Sequence, residues 1–279
     1  KSFAMTYNMM AGKPIKVISQ SKDMIQFYEK NPLLIEYTPI GYVSVNFIHG
    51  AAIRQHAQYD KALKQVFKLE DIAENKYVKK SQKAQAFAVF YKNILFHQLL
   101  YLEDRFEDAL SLYEKTKEEI RPHLAFIEKP QLYDLYFQFS KLFFVTGKHG
   151  KTLDYTNIIL NDLKFKDRDD FSICVRLFNI ITHFELGNEF TIEYLSKSSI
   201  SYLRRKDKLY ESEHIIIKFL QNYSNYKFKG DHIKKGQALK AELKKLRDDP
   251  YEKGAFRLFA FDHWITGLIP DTEKGPVSH

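Results

Sequence analysis

The sequence predicts an all-α fold, a solenoid of antiparallel helix pairs, on three observations. Apolar residues recur three and four positions apart almost throughout. Gly and Pro are scarce, 11 and 8 in 279 residues. Long helices use few of either, because Gly costs backbone entropy and Pro lacks an amide donor. A short turn of one kind recurs where a long apolar helix gives way to a second, in QYDKAL, DRFEDAL, TGKHGKTL and LGNEFTI.

Taken in order, KPIKVISQSKDMIQFYEK is a helix with Pro14 in its first turn, and Asn31-Pro32 stops it. TPIGYVSVNFIHGAAIRQHAQ and YDKALKQVFKLEDIAE then pair over residues 38–75. KSQKAQAFAVFYKNILFHQLLYLED pairs with RFEDALSLYEKTKEEIRPHLAFIE over 81–128. PQLYDLYFQFSKLFFVTG pairs with KHGKTLDYTNIILNDLK over 131–166, and DDFSICVRLFNIITHFELG with NEFTIEYLSKSSISYLRRK over 170–206. LYESEHIIIKFLQNYSNY and KKGQALKAELKKLRDD make the last pair, 209–248. A final helix over 251–268 is expected to cap it with Phe256, Phe259, Phe261 and Trp264. These pairs read as a single repeat domain.

One helix pair leaves an apolar face open, and stacking the next pair on it makes a continuous core. Rows such as Leu95, Leu99 and Leu102, or Leu135, Phe139, Leu142 and Phe143, have the required spacing. With 23 Phe and 18 Tyr against one Trp, aromatic rings supply most of the packing. At each turn an aromatic or ring residue (Tyr59, Phe106, His149, Phe190) precedes a residue at the close crossing (Ala62, Ala109, Thr152, Ile192). The latter four stand 47, 43 and 40 residues apart. That exceeds the roughly 34 residues of the commonest helix-pair repeat, so longer helices and extended connections near 73–82 and 119–130 are expected.

The stretch ITHFELGNEFTIEYLSKSSISYLRRKDKLYESEHIIIKFLQNY, with DDPYEKGAFRLFAFDHWI, resembles a family of tetratricopeptide-like proteins from Bacteroidetes bacteria. The likeness covers most of residues 30–268 and is strongest from Phe171 onward. It implies a right-handed superhelical solenoid with further repeats upstream, and no assigned activity. The chain departs from the usual consensus by carrying Asn46, Asn93, Tyr136 and Arg176 where the first helix of each repeat has its Trp. A fold transfers on such grounds; a ligand does not.

No catalytic or metal-binding motif stands out, so no enzyme activity and no cofactor are expected. The ten histidines include no HExxH and no i,i+4 pair, and His49 and His56 are two turns apart. Asp262-His263-Trp264 reads as the polar edge of the capping helix. Asp169-Asp170 and Asp248-Asp249 sit at connections, where capping and solvation explain them. KHGK at Gly150 is not a phosphate loop, and no GxSxG occurs. The single cysteine, Cys174, lies in an apolar helical stretch and reads as a small buried hydrophobe. One cysteine fits a reducing, cytoplasmic setting. The chain opens KSFAMTYNMMAGKP without an initiator Met, so it is expected to be a piece of a longer chain.

Charge is distributed unevenly. The net formal charge is +8 and the pI about 9.1. Residues 197–247 hold 14 Lys and Arg against 5 Asp and Glu, leaving the remainder near neutral. Arg204, Arg205, Lys234, Lys235, Lys244, Lys245 and Arg247 are its basic patch.

Two uses follow. The first is a protein-interaction scaffold binding a peptide or acidic partner in a groove lined by first helices, with Arg54, Gln98, Lys141 and Arg176 facing it. The second is a regulatory module that binds nucleic acid through 197–247.

Overall fold

The computed structural model describes residues 5, 7–9, 11–162, 169–205, 210–223, 229–246, 249, 252 and 264. Among them every regular element is helical and no strand occurs. No helix among these residues is long and apolar enough to cross a membrane. The chain divides into two compact units, Lys1–Thr146 and Gly147–His279, and the division falls in one of the recurring turns.

The first unit holds α1 (Pro14–Lys30), α2 (Pro32–Tyr37), α3 (Pro39–Gln55), α4 (Tyr59–Glu74), α5 (Gln82–Leu102), α6 (Phe106–Ile120) and α7 (Lys129–Val145). Short 3-10 turns, Val78–Lys80 and Arg121–Phe126, occupy the two long connections. Proline opens α1, α2 and α3, where its missing N–H is lost to the helix anyway. Ser81 caps α5 by accepting the Ala84 N–H at 3.2 Å. Glu128 and Gln131 form a capping box at α7.

Two kinds of helix alternate. α4 and α6 bury one stripe each: Ala62, Val66, Leu69 and Ala73, then Ala109, Tyr113, Thr116 and Ile120. α3 and α5 are apolar around most of their circumference because they have more neighbours. α3 packs against α1, α4 and α5; α5 packs against α3, α4, α6 and α7. The close approach of α3 depends on Gly50, where an added Cβ would lie 2.6 Å from Leu95 Cδ2 and 2.8 Å from Gln65 Cγ.

Among the described residues, four turns from an apolar first helix into an amphipathic second helix each hold one residue in the left-handed region. These residues are Ala57, Asp104, Gly147 and Gly187, with φ of 55°, 55°, 70° and 70°. In three of them the following amide donates back across the turn, Gln58 to Ile53 O, Arg105 to Leu100 O and Asn188 to His183 O. This is the Schellman ending of a helix. Successive intervals are 47, 43 and 40 residues, those separating Ala62, Ala109, Thr152 and Ile192, each five residues past its turn. All four are buried.

Gly12 (φ 66°) makes the same turn, with Lys13 N–H donating to Asn8 O, and Val17 five residues later is fully buried. α1 therefore occupies the place of a second helix, whereas the sequence reading leaves it as a helix outside the pairs. Its only cue in sequence is Gly-Lys-Pro before the helix.

Between α3 and α4, and between α5 and α6, the core is bridged by amides. Gln65 Nε2 donates to Asn46 Oδ1 at 3.0 Å. One repeat on, Thr116 donates to Asn93 Oδ1 at 2.9 Å, and Asn93 Nδ2 donates to Glu119 at 2.9 Å. Lys92 pairs with the same carboxylate at 2.6 Å, and His97 Nε2 meets the Thr116 hydroxyl at 3.0 Å. Asn46 and Asn93 both stand eleven residues before their turns. In each pair the buried amide is satisfied by a hydrogen bond to the second helix.

The second unit contains α8 (His149–Asn161), α9 (Asp169–Glu185), α10 (Glu189–Arg205), α11 (Glu211–Asn222) and α12 (Lys229–Leu246). α9 packs against α8, α10 and α11, and buries Phe171, Cys174, Val175, Phe178 and Ile181. Cys174 is thus a core residue. α11 packs against both α10 and α12. The Glu252 carboxylate caps α11 from a distance, accepting the Glu211 and Ser212 amides and the Ser212 hydroxyl at 2.9, 3.1 and 2.6 Å. Of the capping segment expected at 251–268, only Glu252 and Trp264 are described; Phe256, Phe259 and Phe261 lie outside the described residues. Trp264 Nε1 donates to Glu185 at 2.6 Å, and its ring meets Phe184 edge-on.

Candidate binding surface on the first helices

α3, α5 and α7 lie side by side in the first unit, α5 in contact with both others. α3 and α5 are each followed by a tight turn and a returning helix, so the two, on either side of α4, run in the same direction. One stripe of each stays partly open. On α3 it includes Ser44, Phe47 and Arg54; on α5 Tyr91, Gln98 and Tyr101; on α7 Gln131, Asp134 and Lys141. The members recur at helical spacing, which is why they share a face.

Contacts along the stripe keep one offset between neighbouring helices. The rings of Phe47 and Tyr91 stack at 4.2 Å between centroids and 9° between planes. Lys141 Nζ lies 4.9 Å from the Tyr101 ring centroid, a cation–π contact, and 5.5 Å from that of Phe137. Counted back from their turns, the α3–α5 ring pair and the α5–α7 pair are both offset by three residues. Arg54 and Gln98 each lie seven residues, two helical turns, beyond Phe47 and Tyr91. The same offset gives them corresponding places on the two helices.

These two side chains share an unusual feature. Arg54 Nε and Gln98 Oε1 are buried and have no hydrogen-bond partner. One is a donor and the other an acceptor. Burial pushes the Arg54 guanidinium below its ordinary value, Tyr59 opposing the shift, and no carboxylate among the described residues acts on it. The tyrosines around the stripe are held neutral. Burial, with the Asp104 charge added, pushes Tyr101 up to about 12. Burial raises Tyr91 as well, against hydrogen bonds from Gln131 and Ser44 and with the charges of Asp134 and Glu128.

The four residues expected on one partner-facing row occupy three registers. Gln98 and Lys141 are equivalent, six residues before their turns. Arg54 is three before its turn, in the place that Tyr101 takes on α5. Arg176 is eleven before its turn, the inward place shared with Asn46 and Asn93. It faces its own second helix, lying 4.2 Å from the Tyr202 ring centroid in the second unit. The reason is the slow drift of a 3.6-residue helix against repeats of unequal length. A row read at the middle of a helix slips; one counted from the turn does not. Phe47, Tyr91 and Tyr101 were absent from the expected row because aromatics read first as core. Their seven-residue step to Arg54 and Gln98 was the available cue.

The basic patch is dispersed. Arg204 and Arg205 are exposed at the end of α10. Lys234, Lys235, Lys244 and Lys245 are exposed on α12, which buries Leu239 and Leu243. Arg247 lies outside the described residues. A separate cavity of about 540 Å³ in the second unit is lined by Phe184, Glu189, Phe190, Glu193, Leu220 and Tyr223 among others.

Comparison with family models, with curated proteins and with solved structures gives no match in any of the three.

Proposed function

We propose that the chain is a non-enzymatic binding module, a tetratricopeptide-like solenoid of the kind its sequence resembles, whose first-helix stripe takes up a carboxylate-bearing peptide. One observation carries the reading: a buried donor on Arg54 and a buried acceptor on Gln98, on neighbouring first helices and without partners. Such groups cost about 1–3 kcal/mol each when left unpaired. An acidic peptide supplies both missing partners, its carboxylate accepting from Arg54 and a backbone N–H donating to Gln98. The Phe47–Tyr91 stack offers a rigid apolar floor on one side, and Lys141 over Tyr101 a cation on the other.

The alternative, nucleic-acid binding through 197–247, has the exposure of its lysines in its favour. Its cations are divided between α10 and α12, with α11 packed against both. That favours the peptide reading.

The test is fluorescence anisotropy with pools of short labelled peptides, rich in Asp and Glu or in Asn and Gln. Acidic pools are expected to bind more tightly. Arg54→Gln and Gln98→Leu should each weaken binding by roughly tenfold or more. Equal binding of the two pools, or unchanged binding by both variants, removes this stripe from the function.

A further inference from the structure

Arg176 on α9 lies with its guanidinium carbon 4.2 Å from the centroid of the Tyr202 ring on α10. Its Nε–H is buried and meets no acceptor. Arg205 follows Tyr202 by three residues, on the same face of α10. It is near enough to push the Arg176 guanidinium further below its ordinary value, after burial, the larger cause. Arg205 spends its own Nε–H on the Ser201 carbonyl, at 3.4 Å. No carboxylate among the described residues acts on Arg176 to offset either effect.

Folding alone does not favour this arrangement. A partly buried cation without an anion is costly, and a second cation beside it adds repulsion; an apolar side chain of similar volume fills such a site better. What the arrangement does provide is preorganisation. The tyrosine ring fixes the guanidinium plane, so its N–H edge is held ready for a bidentate acceptor. Both arginines are on helices packed against each other.

We propose that Arg176, Tyr202 and Arg205 form a site for a phosphate group, free or carried by a small organic ligand. Phosphate suits the site better than a carboxylate because its dianion matches two cations, and its oxygens accept from both guanidiniums at once. The site belongs wholly to the second unit and does not rest on the peptide reading of the first.

The experiment titrates the full chain at fixed ionic strength with inorganic phosphate, phenyl phosphate or acetate. Thermal melts and phosphorus-31 line widths are followed. Phosphate is expected to raise the melting temperature saturably and to broaden the phosphate resonance, while acetate leaves the melting temperature unchanged. Arg205→Gln alters an exposed side chain, so the fold should persist while phosphate affinity falls roughly tenfold or more. Arg176→Met should abolish the response and, without phosphate, melt at or above the wild-type temperature, because the unpaired charge is gone. If Arg176→Met does not fold, Arg205→Gln decides alone. Either ranking of phenyl phosphate against inorganic phosphate supports the site and names its source. No saturable phosphate effect, an equal effect from acetate, or Arg205→Gln responding like wild type overturns it.

Discussion

The recurring turn gives a direct test of how this chain is punctuated. Among the described residues five hold the left-handed conformation; three are glycine, and the others are Ala57 and Asp104, both at φ 55°. A Cβ in that region costs about 1–2 kcal/mol. The Ala57 side chain is exposed, so replacing it with glycine removes no buried contact. Against the relief stands the greater freedom of glycine in the unfolded chain, worth about 0.4–1 kcal/mol. The net expectation for Ala57→Gly is a gain of about 0.5–1 kcal/mol.

Asp104→Gly should gain less, since the short polar side chain of aspartate tolerates this region better. Gly187→Ala supplies the mirror experiment. A Cβ there meets nothing within 4 Å, so the expected loss of about 1 kcal/mol is conformational and not steric. Urea unfolding followed by far-ultraviolet circular dichroism measures each change as a midpoint shift at constant slope. If Ala57→Gly is neutral or destabilising and Gly187→Ala is neutral, these turns do not carry the strain assigned to them.

Two further outcomes concern the first unit. Gly50→Ala should destabilise by about 1–2 kcal/mol, because overpacking against Leu95 and Gln65 outweighs the roughly 1 kcal/mol gained in helix propensity; an equally stable variant would contradict the close approach. His97 is held neutral by burial, its pKa pushed down to about 4 from 6.5. Its contribution to stability is complete above pH 6.5 and is lost as pH falls toward 4, on the order of 3 kcal/mol in all. Urea melts of wild type and His97→Gln across that window should show a shallower pH slope for the variant, and equal slopes would refute the assignment.

Much of the first-unit surface was legible in part. Arg54, Gln98 and Lys141 follow from matching repeat positions on the first helices, and all three are on the partly open stripe. Arg176 followed the same logic and came out on the inward side, because the row was counted along the helix and not from the turn. Asn46 and Asn93 read as departures from a repeat pattern; their purpose, bonding to the second helix, needs the partner residues Gln65 and Thr116, 19 and 23 positions away.

The sequence by itself determined most of the described helices, α2 excepted, with their order and the interval of the turns. Those are local properties: apolar period, proline and glycine placement, and a small or β-branched residue five positions past each turn. Only tertiary structure decided that α1 stands in a second-helix place, that the chain parts into two compact units, and that Arg54 and Gln98 keep buried polar atoms without partners. Each depends on which surfaces meet and on what is left unpaired when they do, and that is a property of neighbours distant in the chain.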